Sequence, residues 1–341
     1  MSDVIDRNQP GDIEVLRVTD LQKYYPIRGG LISRELGRVH AVDGVSFAVR
    51  KGETLSIVGE SGCGKSTVGR TIMKLVDANG GQIVSMGTDI TNLPRNEMRK
   101  HRRHVQMVFQ DPYSSLNPRM TAAEIVAEPI HIHGSLPKDG IEPRVADLFD
   151  KVGLPRAAMA KYAHEFSGGQ RQRIAIARAL ALSPELIICD EAVSALDVSI
   201  QAQVLNLLMD LQAELDLAYL FITHELSVGD YLSHRVAVMY LGRIVEIADT
   251  KTIFSNPQHP YTKALISAAP APDPKADRSG RVIHTAEAPS PINPPSGCHY
   301  RTRCPVAKPI CSEIFPETRE LPDGHRVACH LIDDPKGRIS G

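Results

Sequence analysis

The stretch that decides the fold is a glycine-rich loop, which reads Gly59-Glu60-Ser61-Gly62-Cys63-Gly64-Lys65-Ser66-Thr67. It fits the pattern G-x-x-x-x-G-K-[ST], with a short apolar run before it and a helical pattern after it. Glycines let the backbone turn so that successive N–H groups face phosphate oxygens, and the helix N-terminus adds its positive dipole end. The loop therefore predicts a nucleoside triphosphate site, in which Lys65 reaches the β- and γ-phosphates, Ser66 ligates Mg²⁺ and Thr67 assists at the α/β-phosphate.

An acidic pair follows an apolar run further along the chain. Asp190 and Glu191 come directly after Leu-Ile-Ile-Cys at 186–189, which is typical of a buried strand. An acid that leaves such a strand beside a phosphate loop holds Mg²⁺, and a carboxylate one residue further accepts a proton from attacking water. Solvated acids at a strand end are the alternative, and the phosphate loop favours the catalytic interpretation.

Strands and helices alternate on both sides of these motifs, which predicts a parallel α/β core. Residues 111–165 have mixed polarity and several prolines and histidines, and they indicate a mostly helical insertion. The predicted strands are 43–50, 54–58, 104–109, 186–189 and 218–223, with a hairpin at 235–241 and 243–247. The predicted helices start near Lys65 and cover 170–182 and 200–215.

Composition excludes several classes of protein. The 341 residues carry 39 basic and 40 acidic side chains, and a net charge of −1 argues against a dedicated nucleic-acid binder. Hydrophobic residues make up 42% and charged residues 23%, so the chain is not disordered as a whole. No run approaches the length of apolar residues that a membrane span needs. The N-terminal residues include Asp3 and Asp6 and predict no secretory signal.

A second glycine motif reads Phe166-Ser167-Gly168-Gly169-Gln170 and precedes a helical run. Ser167 is predicted to cap that helix, and the two glycines expose backbone N–H groups at its start. One nucleotide does not need two such anion sites from a single chain. The pair therefore indicates that a second copy supplies one of them.

These motifs and their order resemble the ATP-binding cassette family, over about residues 13–250. The matching elements are the phosphate loop, Gln110 after a strand, FSGGQ at 166–170, LIICDE at 186–191, SALD at 194–197 and His224 after a strand. The resemblance implies an α/β P-loop NTPase with an antiparallel β subdomain and ATPase activity. It implies an ATPase domain over 1–268, with a helical insertion at about 111–170.

The family also implies that two cassettes pack head to tail around two ATP molecules. Each ATP then contacts Lys65 of one cassette and Ser167 and Gly169 of the other. Gly168 and Gln170 belong to the same second site, and Asp197 crosses the interface. The residues implied in the phosphate cradle are Gly59, Ser61, Gly62, Cys63, Gly64, Lys65, Ser66 and Thr67.

Three further roles come from the resemblance. Gln110 is implied to sense the γ-phosphate and Mg²⁺, and His224 to hold the attacking water for Glu191. Tyr25 is implied to stack on adenine, although Tyr24 is adjacent and an aromatic at this position also suits a core.

Two positions depart from the family pattern. Phe166 stands where leucine is more usual, and Ala192 stands where close relatives often have proline. Neither change removes a reacting group, so a competent site is expected.

Four longer stretches resemble the ATPase subunits of bacterial oligopeptide and dipeptide importers. They are VFQDPYSSLNPRMT at 108–121, SALDVSIQAQ at 194–203, NPQHPYTKALISAAP at 256–270 and PSPINPPSGCHYRTRCP at 289–305. The implied partners are a sister ATPase, two membrane-spanning permease subunits whose coupling helices contact the helical insertion, and indirectly a peptide-binding protein. The implied location is peripheral, on the cytoplasmic face of the cell membrane.

Other functions stay open at this point. A nickel, glutathione or antimicrobial-peptide transporter would use the same ATPase motifs. A soluble cassette ATPase of DNA repair or translation would also share them, although this chain has one cassette and no basic arm. A binding module without catalysis is a third class, against which Lys65, Glu191 and His224 argue.

The C-terminal part carries a cysteine cluster behind a proline-rich linker. Residues 269–296 contain seven prolines, and Cys298, Cys304, Cys311 and Cys329 follow in the segment 297–341. The spacing has no C-x-x-C pair, so four thiolates from separate loops favour a [4Fe–4S] cluster, as in the extension of peptide-importer ATPases that it resembles. The alternatives are zinc, for which His299 or His330 could substitute as a ligand, and metal-free thiols. The separation along the chain predicts that this metal-binding extension is independent of the phosphate-contacting motifs.

Overall fold

The computed structural model describes residues 11–29, 34–111, 115–268 and 289–332. Most of the linker predicted at 269–296, and the N-terminal residues that argue against a secretory signal, lie outside these described residues. The described chain forms two sheets, with helices packed around them.

The larger sheet holds the parallel core. Its strands are β3 (Thr54–Val58), β6 (Val105–Val108), β7 (Leu186–Asp190), β8 (Ala218–Thr223), β9 (Arg235–Tyr240), β10 (Arg243–Asp249), β11 (Arg319–Glu320) and β12 (Arg326–Val327). Their order is β11-β12-β10-β9-β3-β8-β7-β6, and the five from β9 to β6 are parallel. Every residue of β3, β7 and β8 is buried, as expected for a parallel sheet covered on both faces. The predicted parallel α/β core is confirmed.

The smaller sheet is antiparallel and lies at the N-terminal side of the chain. Its strands are β1 (Glu14–Gly29), β2 (Arg34–Arg50), β4 (Gly80–Ser85) and β5 (Thr88–Asp89), in the order β2-β1-β4-β5. Val45, Phe47 and Val49 alternate along β2 and are buried, because one face of this sheet packs on the same core as β3. This sheet is the antiparallel β subdomain that the family resemblance implies.

The helices of the described chain surround the larger sheet and form the insertion. They are α1 (Lys65–Ile72), α2 (Arg95–His101), α3 (Ala122–His133), α4 (Lys138–Lys151), α5 (Gly168–Leu180), α6 (Val198–Leu215), α7 (Leu226–Leu232), α8 (Thr250–Ser255), α9 (Pro260–Ala268) and α10 (Ile310–Glu313). The apolar faces of α3, α4 and α5 share one core that includes Ile125, Phe149 and Ile174. Within the insertion predicted at 111–165, the described residues form two α-helices, α3 and α4, so this part of the chain is mostly helical.

The C-terminal extension is joined to the cassette by backbone pairing and by a buried hydrogen bond between a histidine and a glutamate. Strand β12 pairs with β10, where Glu246 lies opposite Val327. His325 Nε2 lies 2.7 Å from Glu246 Oε1, and the two side chains are 1% and 0% exposed. Glu246 also accepts the backbone N–H of Gln258 and of His259. The extension is therefore not a separately packed unit, because its strands form the edge of the larger sheet. Its independence from nucleotide binding stays a prediction.

The buried His259 gives this junction a pH dependence. Its Nδ1 accepts the N–H of Tyr261 at 3.1 Å, and burial lowers the pKa of His259 from 6.5 to about 4, although Glu246 acts in the opposite direction. As the pH falls below 6.5, the unfolded chain takes up this proton before the folded chain does. Stability is therefore complete above pH 6.5 and is lost between 6.5 and 4.

We expect His259→Asn to flatten the pH profile of stability. Asn keeps an acceptor for the Tyr261 N–H and cannot titrate in this range. Wild-type protein should lose about 2 kcal/mol of unfolding free energy through this histidine between pH 7.5 and pH 5, at about 1.4 kcal/mol per pKa unit. Urea unfolding at the two pH values measures the difference, and equal slopes for variant and wild type would refute it.

Candidate nucleotide-binding site

The phosphate loop connects β3 to α1 and needs glycine for a steric reason. Gly64 has φ of 107°, and a Cβ there would lie 1.8 Å from the carbonyl oxygen of Ala41 in β2. Gly62 has φ of 79°, a region that glycine enters freely. The loop thus turns tightly into the start of α1, which gives its N–H groups the concave arrangement that anions bind.

Lys65 is folded back onto the loop. Its Nζ donates to the carbonyl oxygens of Gly59 at 2.7 Å and Glu60 at 2.9 Å, and the residue is 4% exposed. Cys63 Sγ lies 3.8 Å from the same Nζ, and burial raises the pKa of the Cys63 thiol. A buried ammonium whose hydrogen-bond partners carry no full charge is a favourable partner for phosphate.

Ser66 and Asp190 meet at the start of α1. The Ser66 hydroxyl donates to Asp190 Oδ1 at 2.6 Å, although 124 residues separate them along the chain. Asp190 is 1% exposed, and burial raises the pKa of its carboxyl group despite this hydrogen bond and Arg70 at 4.0 Å. Hydroxyl and carboxylate oxygens suit Mg²⁺, and a cation would offset the cost of burying the ionised carboxylate. The donor set therefore fits magnesium.

The three proposed catalytic side chains are in contact. Gln110 Nε2 donates to Glu191 Oε2 at 2.6 Å, and His224 Nδ1 lies 3.4 Å from Glu191 Oε1. Glu191 itself has φ of 48°, an uncommon backbone conformation for a non-glycine residue. The side chain of Glu191 is 13% exposed and that of His224 is 44% exposed, so the group opens towards solvent.

Sheet topology explains why these residues meet. Strands β6, β7 and β8 are adjacent and parallel, with Val108 beside Cys189 and Asp190 beside Ile222. Gln110, Glu191 and His224 follow the three strands within two residues of their ends. The carboxyl ends of parallel strands share one edge, where α/β proteins bind their ligands.

The second glycine motif forms a capped helix start. Ser167 Oγ accepts the N–H of Gln170 at 3.4 Å, and the Gln170 side chain accepts the N–H of Ser167 at 3.1 Å. A Cβ at Gly169 would lie 2.4 Å from Ile200 Cγ2, so α5 approaches α6 closely here. The predicted cap at Ser167 is confirmed, whereas α5 begins at Gly168 rather than at Gln170. Phe166 is 5% exposed and packs in the core, so this apolar replacement for leucine does not alter the exposed part of the motif.

Two other implied positions lie near the surface. Asp197 precedes α6 and is exposed, and its neighbour Val198 is 83% exposed. Tyr25 lies in β1 opposite Val39 of β2, two residues from the Ala41 that contacts the phosphate loop. Lys23 Nζ lies 5.0 Å from the centre of the Tyr25 ring, whereas Tyr24 donates to Asp43 at 2.6 Å. The Tyr24 hydroxyl is therefore engaged in a hydrogen bond with Asp43, whereas the contact described for the Tyr25 ring is with Lys23.

A cleft of about 620 Å³ separates the helical insertion from the catalytic edge of the sheet. Gln110 and Asp190 line it, together with the charged residues Arg102, Glu128 and Arg178. Arg178 also donates to the carbonyl oxygen of Ser115 at 2.7 Å, which ties α5 to the segment after Gln110. The cleft therefore connects the catalytic group with the insertion.

The four cysteines of the extension are free and lie near one another. Burial, followed by the charges of Cys298, Cys304 and Cys311, raises the pKa of Cys329 to about 11. Burial also raises the pKa of the Cys298 and Cys304 thiols. Across the residues described, however, no three His, Cys, Asp or Glu side chains are already arranged to hold a metal ion. Four neighbouring thiols suit iron or zinc in kind, but the structure shows no preformed ligand geometry.

Sequence reasoning missed one contact of the phosphate loop. Arg303 Nη1 donates to Glu60 Oε2 at 2.9 Å, and the Glu60 N–H donates to the Tyr261 hydroxyl at 3.0 Å. Glu60 itself was a signal in the sequence. A carboxylate inside a phosphate-binding loop repels the phosphates unless a cation lies nearby, so such a cation could have been expected.

A membrane-spanning segment is also absent from the described helices, none of which combines the necessary length and apolar character.

Comparison with known proteins relates the chain to one family. Residues 42–194 match the family described as "ABC transporter", and residues 245–311 match "Oligopeptide/dipeptide transporter, C-terminal region". The chain is 54% identical over 319 residues to the oligopeptide transport ATP-binding protein AppF of Bacillus subtilis (strain 168), covering 93% of this chain and 97% of that protein. It is also 54% identical over 317 residues to the probable peptide ABC transporter ATP-binding protein y4tS of Sinorhizobium fredii, covering 93% and 90%.

Solved structures agree on the fold. The dimeric post-hydrolysis state of the ATP-binding cassette MJ0796, bound to ADP and Pi, matches with a TM-score of 0.61 and 26% identity, over 69% of this chain and 98% of that one.

Proposed function

Because the chain belongs to the ATP-binding cassette transporter family, we propose that it binds and hydrolyses ATP to power import of oligopeptides or dipeptides. The observation that best supports ATPase activity is that Gln110 and His224 both contact Glu191, next to the hydrogen-bonded pair Ser66 and Asp190. The peptide cargo is supported by the match of residues 245–311 and by the peptide-transport relatives.

The phosphate loop binds the substrate ATP. Backbone N–H groups of Gly59, Ser61, Gly62 and Gly64 face the phosphate oxygens, and Lys65 exchanges its carbonyl partners for the β- and γ-phosphates. Ser66 and Asp190 would hold Mg²⁺, with the side-chain oxygen of Gln110 as a third donor. Magnesium supplies positive charge that offsets the charge developing on the β/γ oxygens.

Hydrolysis begins with proton removal from water. Glu191 accepts a proton from the attacking water, whose oxygen forms a bond to the γ-phosphorus while the bond from phosphorus to the bridging oxygen of ADP breaks. His224 holds the water and the γ-phosphate, since its ring is adjacent to Glu191. Gln110 keeps the Glu191 carboxylate in place and connects it to the cleft beside the insertion.

The second glycine motif acts on the ATP of a neighbouring cassette. Ser167, Gly168, Gly169 and Gln170 present the N-terminus of α5 to that nucleotide, and the exposed Asp197 faces the same interface. A sister ATPase is the proposed neighbour.

Two permease subunits are the proposed membrane partners, with a peptide-binding protein acting through them. Their coupling helices contact the helical insertion at the cleft lined by Arg102, Glu128 and Arg178. The chain is then held by protein contacts on the cytoplasmic face of the membrane, without a nucleic-acid partner.

Reconstitution tests this function. The chain, its sister ATPase and the permease subunits are placed in lipid vesicles, and ATP hydrolysis is measured with the binding protein and peptides. Peptide-dependent hydrolysis and uptake are expected. Stimulation by nickel or glutathione alone would assign another cargo, and full activity without permease would favour a non-transport ATPase.

For the extension, we propose that Cys298, Cys304, Cys311 and Cys329 gather around a [4Fe–4S] cluster, with zinc as the alternative. The proposal is supported by four free thiols, of which Cys298, Cys304 and Cys329 have a pKa raised by burial and further by the charges of neighbouring cysteines. It also requires them to rearrange into ligand geometry. A metal would stabilise a segment whose own regular elements are short.

Metal analysis of protein purified without oxygen checks this proposal. We expect about four irons per chain and a brown colour, because one complete cluster holds four iron atoms. Cys304→Ser and Cys311→Ser should remove the iron and increase protease cutting within 297–332, whereas Cys189→Ser in the buried strand β7 should keep the iron. Colourless protein with one zinc would reverse the assignment, and protein without metal would refute it.

A further inference from the structure

Arg303 belongs to the extension but contacts the phosphate loop. Its Nη1 lies 2.9 Å from Glu60 Oε2 and 3.5 Å from the Tyr240 hydroxyl. The Arg303 side chain is 7% exposed and that of Glu60 is 34% exposed. The arginine is thus shielded from water and the carboxylate is partly exposed, so the pair is stronger than one between two fully exposed side chains.

An aromatic cluster fixes the geometry of the pair. The Arg303 guanidinium lies 5.9 Å from the centre of the Tyr240 ring, and the Tyr240 and Tyr261 rings are 4.6 Å apart. Tyr261 in turn accepts the backbone N–H of Glu60 at 3.0 Å. Glu60 is thus held at its side chain by Arg303 and at its backbone by Tyr261.

The charge of Glu60 matters because of its place in the loop. Its carbonyl oxygen binds Lys65 Nζ at 2.9 Å, so the residue lies beside the cation proposed to receive the phosphates. An unpaired carboxylate there repels a triphosphate, and a cation within hydrogen-bonding distance cancels much of that repulsion.

We propose that Arg303 is a positioning residue for the phosphate loop, which cancels the charge of Glu60 and holds the loop in the conformation that binds ATP. The proposal rests on the proposed assignment of this loop as the nucleotide site. It makes the extension a contributor to ATP affinity.

Equilibrium binding of a fluorescent ATP analogue to the full-length chain tests this role. Arg303→Gln should raise the Kd about 10-fold, the loss of one hydrogen-bonded charge pair. Arg303→Lys keeps the charge and should recover most of the affinity. Arg301→Gln is the matched control, since Arg301 donates to the Ser296 carbonyl at 2.9 Å and should change the Kd less than about 2-fold.

A double variant that removes both charges distinguishes a role of Arg303 in compensating Glu60 from a general effect on folding. Glu60→Gln combined with Arg303→Gln removes the unpaired carboxylate and should restore the Kd to within about 3-fold of wild type. Thermal midpoints of all variants are measured alongside. A Kd unchanged in Arg303→Gln, or not restored in the double variant, would overturn the proposal.

A Lys65→Ala variant distinguishes failure of the Arg303 role from failure of the proposed nucleotide site. Lost binding in Lys65→Ala with normal binding in Arg303→Gln overturns the role of Arg303 alone. Normal binding in Lys65→Ala overturns the nucleotide site and with it the role of Arg303.

Discussion

Glu191→Gln is expected to lower ATP turnover by roughly 10²–10⁴-fold, the range for a lost general base. The glutamine has nearly the same shape and retains an oxygen that accepts from Gln110, but it cannot take a proton from water. ATP binding should be intact, because Lys65 and Ser66 are untouched, and the closed ATP-bound dimer should accumulate. Single-turnover hydrolysis and size-exclusion chromatography with ATP measure the two effects.

Glu225→Gln is the matched control for this variant. Glu225 lies 4.0 Å from His224 Nε2, but it pairs with Gln201 rather than with Gln110. Its loss should change turnover less than about 5-fold. Near-normal turnover in Glu191→Gln, or an equal loss in both variants, would remove Glu191 from the role of base.

Lys65→Ala and Ser167→Arg are expected to separate ATP binding from dimerisation. Removing the Lys65 ammonium should weaken ATP binding by the isolated chain about 100-fold, because a charge-assisted contact to phosphate is lost. Ser167→Arg should leave that binding within about 2-fold of wild type and block the sandwich, since the motif acts on the partner's nucleotide. Calorimetry of the isolated chain and light scattering with ATP check both.

Lys74→Ala serves as the control for loss of a lysine. Lys74 follows the end of α1 and donates to the Leu93 carbonyl oxygen at 2.9 Å, away from the phosphate loop. Its ATP binding should be normal. Equal loss of binding in Lys65→Ala and Ser167→Arg would contradict the cross-subunit arrangement.

Much of the catalytic edge could be predicted because its residues are set by local patterns. Short apolar runs ended by Gln110, Glu191 and His224 indicated buried parallel strands, and such strands have their carboxyl ends on one edge. The phosphate loop carried its own turn chemistry in Gly62 and Gly64. Each of these signals lies within a few residues of the element that it predicts.

Helix ends were less predictable because tertiary contacts decide them. Val68, Ile72 and Leu75 have the spacing of one helical face, yet α1 ends at Ile72 and Leu75 is 48% exposed. Helix α5 starts earlier than its apolar pattern does. Ser167 caps the helix, so Gly168 and Gly169, which have no apolar side chain, are its first two residues.

Contacts between distant segments could not be read from local patterns at all. The pairing of β12 with β10 and the contact of Arg303 with Glu60 depend on where the chain returns after the linker. Short segments such as 326–327 carry no periodicity that identifies a strand. The proline-rich linker suggested that the extension is separate from the cassette. In the structure, β11 and β12 of the extension pair at the edge of the larger sheet instead.

The distance along the chain between Arg303 and Glu60, 243 residues, has a consequence for biosynthesis. At roughly 5–20 residues per second, a ribosome adds those residues over about 12–50 s. During that interval the parallel core around the phosphate loop has already been synthesised, whereas Arg303, the cation that pairs with Glu60, has not. A chain truncated before Arg303 would leave the Glu60 carboxylate without this cation, so synthesis of Arg303 is the step that completes the charge pairing of the loop.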